Sequence, residues 1–270
     1  MTTISAFARK LESELIDQHV HYYFAGDDGA RVLLNDAVGK VISLRYLNDA
    51  ACVACGRKIK KTWAQGYCFP CTQSKAQCDL CILKPELCHY AAGTCREPLW
   101  GEAHCMQDHF VYLANASGLK VGITRYSNTP TRFIDQGAIS AMPIFKVKKR
   151  YDAGLIEVEL ARVIPDKTNW RKMLGPTASL DLRMEQALLE PVLADILAQK
   201  PDIQVERLNF GPLTLIYPIE AYPRVVKGIK LLELGAWQAR LLGIKGQYLL
   251  FEEGVLNMRN LSGYALELSF

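Results

Sequence analysis

Two cysteine pairs carry the clearest chemistry in the sequence. Cys52 with Cys55, and Cys68 with Cys71, each form a Cys-x-x-Cys knuckle. A knuckle turns its two thiolates toward one point, and four sulfurs at tetrahedral corners satisfy Zn²⁺, which has no other geometric preference. The spacing therefore predicts a zinc-ribbon-like region in which these four cysteines hold a structural zinc ion.

Five more cysteines follow, and they predict a second zinc site. The set that we expect as ligands is Cys78, Cys81, Cys88 and Cys95. The spacing leaves three substitutes open: His89, His104 and Cys105. An iron–sulfur cluster would also use four thiolates, but the spacing from Cys78 onward matches neither common ferredoxin pattern. Zinc is therefore favoured at both sites.

Composition limits the class of protein. The chain has 270 residues, 50% of them hydrophobic, and a net charge of +4, so it can bury a core and permits a polyanionic partner without requiring one. The first residues lack the apolar core of a signal peptide, and no apolar run approaches the roughly 20 residues that cross a bilayer. We expect a cytoplasmic protein without a membrane partner, in which cysteines bind metal rather than form disulfides.

The periodicity of apolar residues predicts an α+β fold in four parts. Residues 1–50 are expected to form a helix, up to Gln18, and strands at 19–24, 31–34 and 40–47 that pack with the C-terminal sheet. Residues 51–108 form the cysteine-rich region. Residues 109–200 form an α+β module with a hairpin (109–114 and 119–124), a helix starting after Asn128-Thr129-Pro130, a strand (143–149) and helices at 152–163, 166–174 and 180–199.

Residues 201–270 complete the predicted fold with a small β-barrel or curled antiparallel sheet. Its expected strands are 204–208, 213–217, 225–234, 238–242, 247–251 and 264–268. The N-terminal strands are candidates to join this sheet, because open edges must be paired or covered.

The hairpin and the helices after it resemble the GIY-YIG nuclease superfamily. The resemblance rests on Phe110-Val111-Tyr112, on Lys120-Val121-Gly122, on Arg132 in the following helix and on a glutamate in the next. Two residues depart from the family pattern: Phe110 replaces the glycine of the first motif, and Lys120 replaces the tyrosine of the second. The resemblance implies a hydrolase that cleaves phosphodiester bonds in DNA or RNA.

The resemblance also implies roles for individual residues. Tyr112 would help to activate the attacking water, Arg132 would bind the phosphate, and Glu157 would hold one Mg²⁺ or Mn²⁺ ion. Glu159 is an alternative to Glu157 on the same helix. Gly122 would let a phosphate approach the backbone, Lys120 would contact a phosphate, and Asn169 would complete the site.

A basic, aromatic finger between the first two knuckles is a second candidate nucleic-acid surface. Its residues are Arg57, Lys58, Lys60, Lys61 and Trp63, and Arg125 is a further candidate contact outside it. Cations meet phosphates, and aromatic rings stack on unpaired bases. A solvated loop is the alternative interpretation. For the whole chain, the alternatives to a nuclease are a non-catalytic nucleic-acid-binding protein and a zinc-stabilised protein-interaction module.

Nearly the whole chain also resembles an uncharacterised family of bacterial proteins, a domain of unknown function. The segments that carry this similarity are 78–81, 93–96, 135–138, 166–174 and 243–248. The resemblance implies only that the zinc, GIY-YIG-like and β segments form one unit, and it implies no activity.

Overall fold

A computed structural model describes residues 2–27, 29–164 and 169–270. The strands are β1 (Thr3–Phe7), β2 (Glu12–Ile16), β3 (His19–Ala25), β4 (Arg31–Leu33), β5 (Val41–Ala50), β6 (His109–Asn115), β7 (Leu119–Arg125), β8 (Ser140–Val147), β9 (Val205–Arg207), β10 (Leu213–Thr214), β11 (Ala236–Arg240), β12 (Gly243–Lys245), β13 (Tyr248–Phe251), β14 (Gly254–Asn257) and β15 (Tyr264–Ser269). The α-helices are α1 (Phe69–Ser74), α2 (Pro98–His104), α3 (Thr131–Asp135), α4 (Arg150–Leu160), α5 (Trp170–Met173), α6 (Leu182–Gln199) and α7 (Leu231–Leu234).

The chain forms two compact units. Unit 1 comprises Met1–Gln73, Leu174–Pro176 and Ile216–Phe270, and unit 2 comprises Ser74–Met173 and Thr177–Leu215. The boundary between Gln73 and Ser74 falls inside the cysteine-rich region. The first four cysteines therefore belong to unit 1 and the other five to unit 2.

Unit 1 contains three antiparallel sheets. The largest has the strand order β1-β15-β5-β11, and the other two are β2-β3-β4 and β12-β13-β14. In β1, Ile4 and Ala6 are buried and alternate with exposed neighbours, which is the pattern of a strand with one face on the core. The predicted joining of N-terminal and C-terminal strands is confirmed for β5, which covers the expected strand 40–47 and pairs with β11 and β15.

Three details of the fold prediction for unit 1 were wrong. The expected N-terminal helix is replaced by β1 and β2, because the first residues pair with β15 at the far end of the chain. No sheet among the described residues closes into a barrel. The segment 225–234 is not a strand: Ile229 N donates to Val255 O at 2.9 Å, and the chain then enters α7.

Unit 2 is built on a sheet with the order β10-β8-β6-β7, in which β9 also pairs with β8. Every residue of β6 is buried, so both faces of this central strand are covered. On one face, Val111 and Leu113 pack in a core with Ile156 of α4 and Leu193 of α6. The predicted succession of hairpin, helix, strand and helix is confirmed by β6, β7, α3, β8 and α4.

The long helix expected near residues 180–199 is confirmed as α6. Asp181 caps its N-terminus by accepting from the backbone N–H groups of Arg183 and Met184, at 3.0 and 3.2 Å. The helix expected at 166–174 falls partly on residues 165–168, which lie outside the described residues, and its described part contains α5. No described helix has both the length and the apolar character that crossing a membrane would require.

Tyr112 and Gly122 form a tight contact between β6 and β7. The two residues are paired in register, and Tyr112 is 0% exposed. A Cβ atom on Gly122 would lie 2.5 Å from both the Cζ and the hydroxyl oxygen of Tyr112. Phe133 of α3 covers the same tyrosine ring, with 4.7 Å between ring centroids. Gly122 is therefore needed to make room for the tyrosine ring.

We predict that Gly122→Ala lowers the free energy of unfolding by about 2 kcal/mol, because the added methyl group overpacks a buried aromatic contact. Urea denaturation measures the change. Gly228→Ala is the matched control and should have an effect within about 0.5 kcal/mol, since no atom lies within 4 Å of a Cβ built at Gly228. Equal effects of the two substitutions would contradict the packing role of Gly122.

Candidate functional site

The four cysteines of the two knuckles meet in unit 1. The sulfur atoms of Cys52, Cys55, Cys68 and Cys71 all lie within 4.8 Å of one another. Tetrahedral Zn–S bonds of about 2.3 Å place sulfurs about 3.8 Å apart, and the Sγ atoms of Cys55 and Cys68 are separated by 3.8 Å. The tetrad can therefore hold a zinc ion, as the sequence predicted.

Backbone hydrogen bonds shape the first knuckle and polarise its sulfurs. Gly56 N donates to Cys52 O at 2.9 Å, and Cys68 N donates to Cys52 Sγ at 3.2 Å. Burial raises the pKa of Cys52, but N–H donors from Cys68, Cys55 and Ala54 outweigh it and lower the pKa to about 6. The side chain of Cys68, together with burial, raises the pKa of Cys71 to about 12. The raised pKa of Cys71 reflects the crowding of the thiols, and a cation among the sulfurs would favour the ionised form of all four.

The basic finger beside the tetrad is exposed in unit 1. The exposed members are Arg57, Lys58, Lys60, Lys61 and Trp63. Lys61 Nζ lies 4.8 Å from the centroid of the Trp63 ring. Lys58 forms an ion pair with Asp49 and lies 4.5 Å from the centroid of Phe7, so part of its charge is already compensated.

The second group of thiols, in unit 2, differs from the predicted set. Cys81, Cys88, Cys95 and Cys105 line one cavity of about 20 Å³, and Cys78 is not among the residues that line it. Burial raises the pKa of Cys81 to about 11, and the nearby Asp79, Cys88 and Cys105 add to this shift. A different group, Asp79, Cys81 and His89, has its ligand atoms within 4.8 Å of one another.

A larger cavity in unit 2 is lined by several arginines. Its volume is about 290 Å³, and its charged lining residues are Arg125, Arg132, Arg150 and Glu157. Trp100 and His104 also line it and stack on each other, with ring centroids 4.1 Å apart. Three guanidinium groups against one carboxylate give the cavity an excess of positive charge, which suits an anion with several oxygen atoms.

Arg132 is held in the cavity by a buried hydrogen-bond chain. The Tyr112 hydroxyl lies 2.7 Å from the side-chain amide of Gln136. When the amide nitrogen faces this hydroxyl, the amide oxygen accepts from Arg132 Nη2 and Nε at 3.1 and 3.2 Å, which satisfies all three groups. Gln136 therefore positions the guanidinium, and Tyr112 positions Gln136.

Arg150 is an unusual guanidinium because it is largely buried. Its Nη2 donates to Ile82 O at 2.7 Å, while its Nε is buried and finds no partner among the described residues. Burial lowers the pKa of Arg150, and the charge of Arg132 lowers it further, against the opposing effects of Cys105 and Glu157. An unsatisfied donor beside a second guanidinium is an arrangement that an anion would stabilise.

The structure separates the two candidate glutamates on α4. Glu157 lines the arginine cavity. Glu159 instead forms ion pairs with Arg162 and Lys200, the latter at 3.6 Å. Glu157 is therefore the carboxylate placed beside Arg132, as preferred from the sequence.

Four expected site residues have other positions or roles. Tyr112 is completely buried and burial raises its pKa, so it does not reach an attacking water. The space above Gly122 is filled by the Tyr112 ring, which leaves no room for a phosphate. Lys120 is buried on β7 and does not line the cavity. Asn169 caps α5, where its Oδ1 accepts from Arg171 N and Lys172 N at 3.1 and 3.2 Å.

Sequence reasoning missed Arg150, Gln136 and Trp100. Arg150 follows Lys148 and Lys149, which are exposed, and no sequence feature distinguishes it from them. Gln136 lies in the segment 135–138, which carries part of the whole-chain resemblance. That resemblance marked the segment but assigned no role to Gln136. Arg125, expected as a separate contact, lies in the same cavity as Arg132.

The fold and the sites define a mixed α/β protein with a cysteine tetrad that can hold zinc and an arginine-lined cavity. The chain belongs to the family described as "Protein of unknown function (DUF2797)", whose model matches residues 39–266. No curated protein and no solved structure matches the chain. The family description names no activity, so the function must be argued from the sites.

We predict that Cys55→Ser removes about one zinc ion per chain, although an exposed cysteine would ordinarily tolerate this change. Cys55 is the exposed member of the tetrad. Elemental analysis of the purified protein measures the zinc content. Ala54→Ser, which places the same side chain at the neighbouring exposed position, is the control and should retain all zinc. Unchanged zinc in Cys55→Ser would show that the tetrad is not the site.

His109 makes the stability of unit 2 sensitive to acid. The ring is 0% exposed, its Nδ1 donates to Gln107 O at 2.7 Å, and its Nε2 has no partner among the described residues. Burial, aided by the charges of Arg150 and Arg125, lowers its pKa from 6.5 to about 4. Between these values the unfolded chain binds a proton that the folded chain does not, so stability falls as pH decreases.

We therefore predict that the free energy of unfolding drops by about 2 kcal/mol more in the wild type than in His109→Asn between pH 7 and pH 5. The variant keeps a donor for Gln107 O but removes the titrating ring. Urea denaturation at both pH values measures the difference. His19→Asn, at an exposed position, is the control and should keep the wild-type pH dependence. If the free energy of unfolding depends on pH in the same way in the wild type and in His109→Asn, His109 is not the group that destabilises the fold in acid.

Proposed function

We propose that this protein binds nucleic acid through a phosphate group held in the arginine-lined cavity of unit 2, and that it hydrolyses phosphodiester bonds there with a divalent metal ion. The observation that carries the proposal is the convergence of Arg125, Arg132 and Arg150 with Glu157 on one cavity. A solvated charged surface does not explain this arrangement, because Arg150 is largely buried and Arg132 is fixed by Gln136.

The three guanidinium groups suit a phosphodiester for electrostatic and geometric reasons. Each is a planar fork of N–H donors that matches two oxygens of one phosphate. Bringing like charges together in a half-enclosed cavity costs free energy, and an anion recovers it. The charge that develops on a phosphodiester during hydrolysis would be stabilised in the same place.

Glu157 is the carboxylate available to a catalytic metal in this cavity. One carboxylate among three guanidinium groups is a poor site for a cation by itself. Mg²⁺ is, however, commonly bound by one or two carboxylates together with phosphate oxygens of the substrate. Glu157 would therefore hold a divalent ion together with the substrate phosphate, and the ion would supply stabilisation of the charge on the leaving oxygen.

The resemblance to GIY-YIG nucleases adds support to the catalytic part of the proposal. The motifs that carry the resemblance lie on β6, β7, α3 and α4, and Arg132 and Glu157 line one cavity. The role of Tyr112 changes: it is a positioning residue that acts through Gln136 on Arg132. A divalent ion held by Glu157 would supply the activation of the attacking water in place of the phenol.

Unit 1 offers a second surface for the same class of partner. Trp63 is 47% exposed and lies beside Lys61, and Phe69, which contacts the Trp63 ring, is 56% exposed. Exposed aromatic rings next to cations are typical of single-stranded nucleic-acid binding. In the cavity of unit 2, Trp100 gives a similar aromatic surface near the arginines.

The burial of Tyr112 favours a second candidate function, binding without cleavage. Without an accessible phenol, the cavity keeps the groups that hold a phosphate but lacks a side chain that the GIY-YIG pattern uses for the reaction. In this alternative the protein recognises DNA or RNA and does not turn it over. The two candidates differ in one measurement, cleavage in the presence of Mg²⁺ or Mn²⁺.

Binding is tested by fluorescence anisotropy with labelled single-stranded and duplex DNA and RNA at low salt. We predict that Arg132→Gln weakens binding about tenfold or more, because it removes a charge-assisted fork to the phosphate. Arg162→Gln is the control and should leave affinity within about twofold, because Arg162 is highly exposed and pairs with Glu159. If no nucleic acid binds at low salt, the proposed function fails in both forms.

Cleavage is tested on the same panel with Mg²⁺ or Mn²⁺. We predict that Glu157→Gln abolishes turnover while it leaves binding measurable, whereas Glu159→Gln retains turnover. Cleavage that survives both Arg132→Gln and Glu157→Gln would assign the activity to another site or to a contaminant. Binding without cleavage by the wild type would select the second candidate function.

A further inference from the structure

We infer that a second structural zinc ion is bound in unit 2 by Cys81, Cys88, Cys95 and Cys105, and that Cys78 is not a ligand. This ligand set differs from the one that the knuckle pattern suggests, because Cys105 replaces Cys78. The observation that carries it is the small cavity that these four cysteines line together; their sulfur atoms do not all lie within 4.8 Å of one another, so the ion would draw them closer.

The cavity has the size and the chemistry of a metal site. Its volume of about 20 Å³ holds little more than one water-sized sphere. Soft thiolates select zinc among the common divalent ions, and four of them form a closed structural site. Each thiol would release its proton when the metal binds, so the cost of crowding four sulfurs would be recovered by the metal bonds.

The four cysteines come from separate turns of an irregular segment. Cys81 lies in the 3₁₀ turn Leu80–Ile82, Cys88 follows the turn Pro85–Leu87, and Cys105 follows α2. The fourth, Cys95, lies in the loop before α2. One ion bound to all four would connect the turns Leu80–Ile82 and Pro85–Leu87 with the two ends of α2.

The segment needs such a connection because it has little core of its own. Several of its large apolar side chains are exposed rather than packed: Leu80, Leu83, Leu87 and Leu99. A stretch of short turns with exposed leucines gains little from hydrophobic burial, and metal binding then supplies folding free energy.

The backbone of α2 packs directly against this group of sulfurs. A Cβ atom on Gly101 would lie 3.3 Å from Cys95 Sγ and 2.9 Å from the Tyr90 ring. Tyr90, Trp100 and Gly101 complete the wall of the cavity. Aromatic rings and the α2 backbone therefore cover one side of the cavity, and Cys105 is buried while the other three cysteines are partly buried.

The competing group Asp79, Cys81 and His89 is already engaged in other contacts. Asp79 Oδ2 lies 2.6 Å from Arg96 Nε, and Asp79 Oδ1 accepts from Cys81 N at 3.3 Å. His89 Nδ1 lies 2.7 Å from Thr94 Oγ1. The carboxylate thus compensates Arg96 and caps the turn that carries Cys81. It positions this cysteine instead of binding the metal.

The charge of the proposed site is also balanced locally. A zinc ion with four thiolates is net negative. Arg150 N donates to Cys105 O at 2.8 Å, and its side chain donates to Ile82 O, next to Cys81. A buried cation is therefore fixed between two of the four proposed ligands.

Zinc content of single variants tests the ligand set. The wild type, purified with zinc and a reducing agent, should contain about two zinc ions per chain, and Cys88→Ser, Cys95→Ser and Cys105→Ser about one. Cys78→Ser is the matched control from the same segment and should keep two. Loss of zinc in Cys78→Ser together with retention of zinc in Cys105→Ser would overturn the inference. Loss of a zinc ion in Asp79→Asn would also overturn it, as would a wild-type protein that contains only one zinc ion per chain.

A measurement on the wild type keeps the test valid if a variant does not fold. Alkylation followed by mass spectrometry reports which cysteines react before and after a chelator is added. We expect Cys81, Cys88, Cys95 and Cys105 to become reactive together when the chelator removes the second ion, while Cys78 reacts equally with and without it. Chelator-dependent protection of Cys78, or none at Cys105, would contradict the ligand set. Neither assay depends on nucleic-acid binding.

Discussion

The hydroxyl group of Tyr112 must find a hydrogen-bond partner inside unit 2, because the side chain has no contact with solvent. That requirement organises the arginine cavity. The partner is Gln136, whose other polar atom faces the Arg132 guanidinium. The ring itself fits only because residue 122 has no side chain. One packing contact between β6 and β7 thus determines where a cation on α3 can lie.

The cavity concentrates like charges that a stable fold would otherwise keep apart. Arg150 loses hydration through burial and lies near Arg132, and both effects lower its pKa. Hydrogen bonding to Ile82 O compensates only part of this cost, since the buried Nε has no partner among the described residues. A fold can retain this unfavourable burial of charge where a bound anion offsets it. The orientation of the arginines therefore argues for a ligand more strongly than their number does.

Local patterns predicted the parts of the fold that depend on short segments. The Cys-x-x-Cys knuckles need only a few backbone hydrogen bonds, such as Gly56 N to Cys52 O, to bring four sulfurs together. The helix α6 carries its own cap and apolar stripe. The prediction for the N-terminal segment was wrong because Phe7, Leu11 and Leu15 also fit helical spacing. The strand β1 instead pairs with β15, at the other end of the chain. A local window cannot detect that pairing.

The candidate site shows the same division between local and non-local information. Cysteine identity indicates metal binding almost wherever thiols converge, yet Cys105 lines the second cavity because α2 ends there, which the cysteine spacing does not indicate. Arg150 carries no signal of its own, since its hydrogen-bond partners, Ile82 O and Cys105 O, lie far from it in the sequence. Tyr112 shows the converse: it lies on the expected strand, β6, but its burial directs the hydroxyl to Gln136 and away from solvent. A residue's chemistry can be read from its type, whereas its role depends on access and neighbours that only the folded chain supplies.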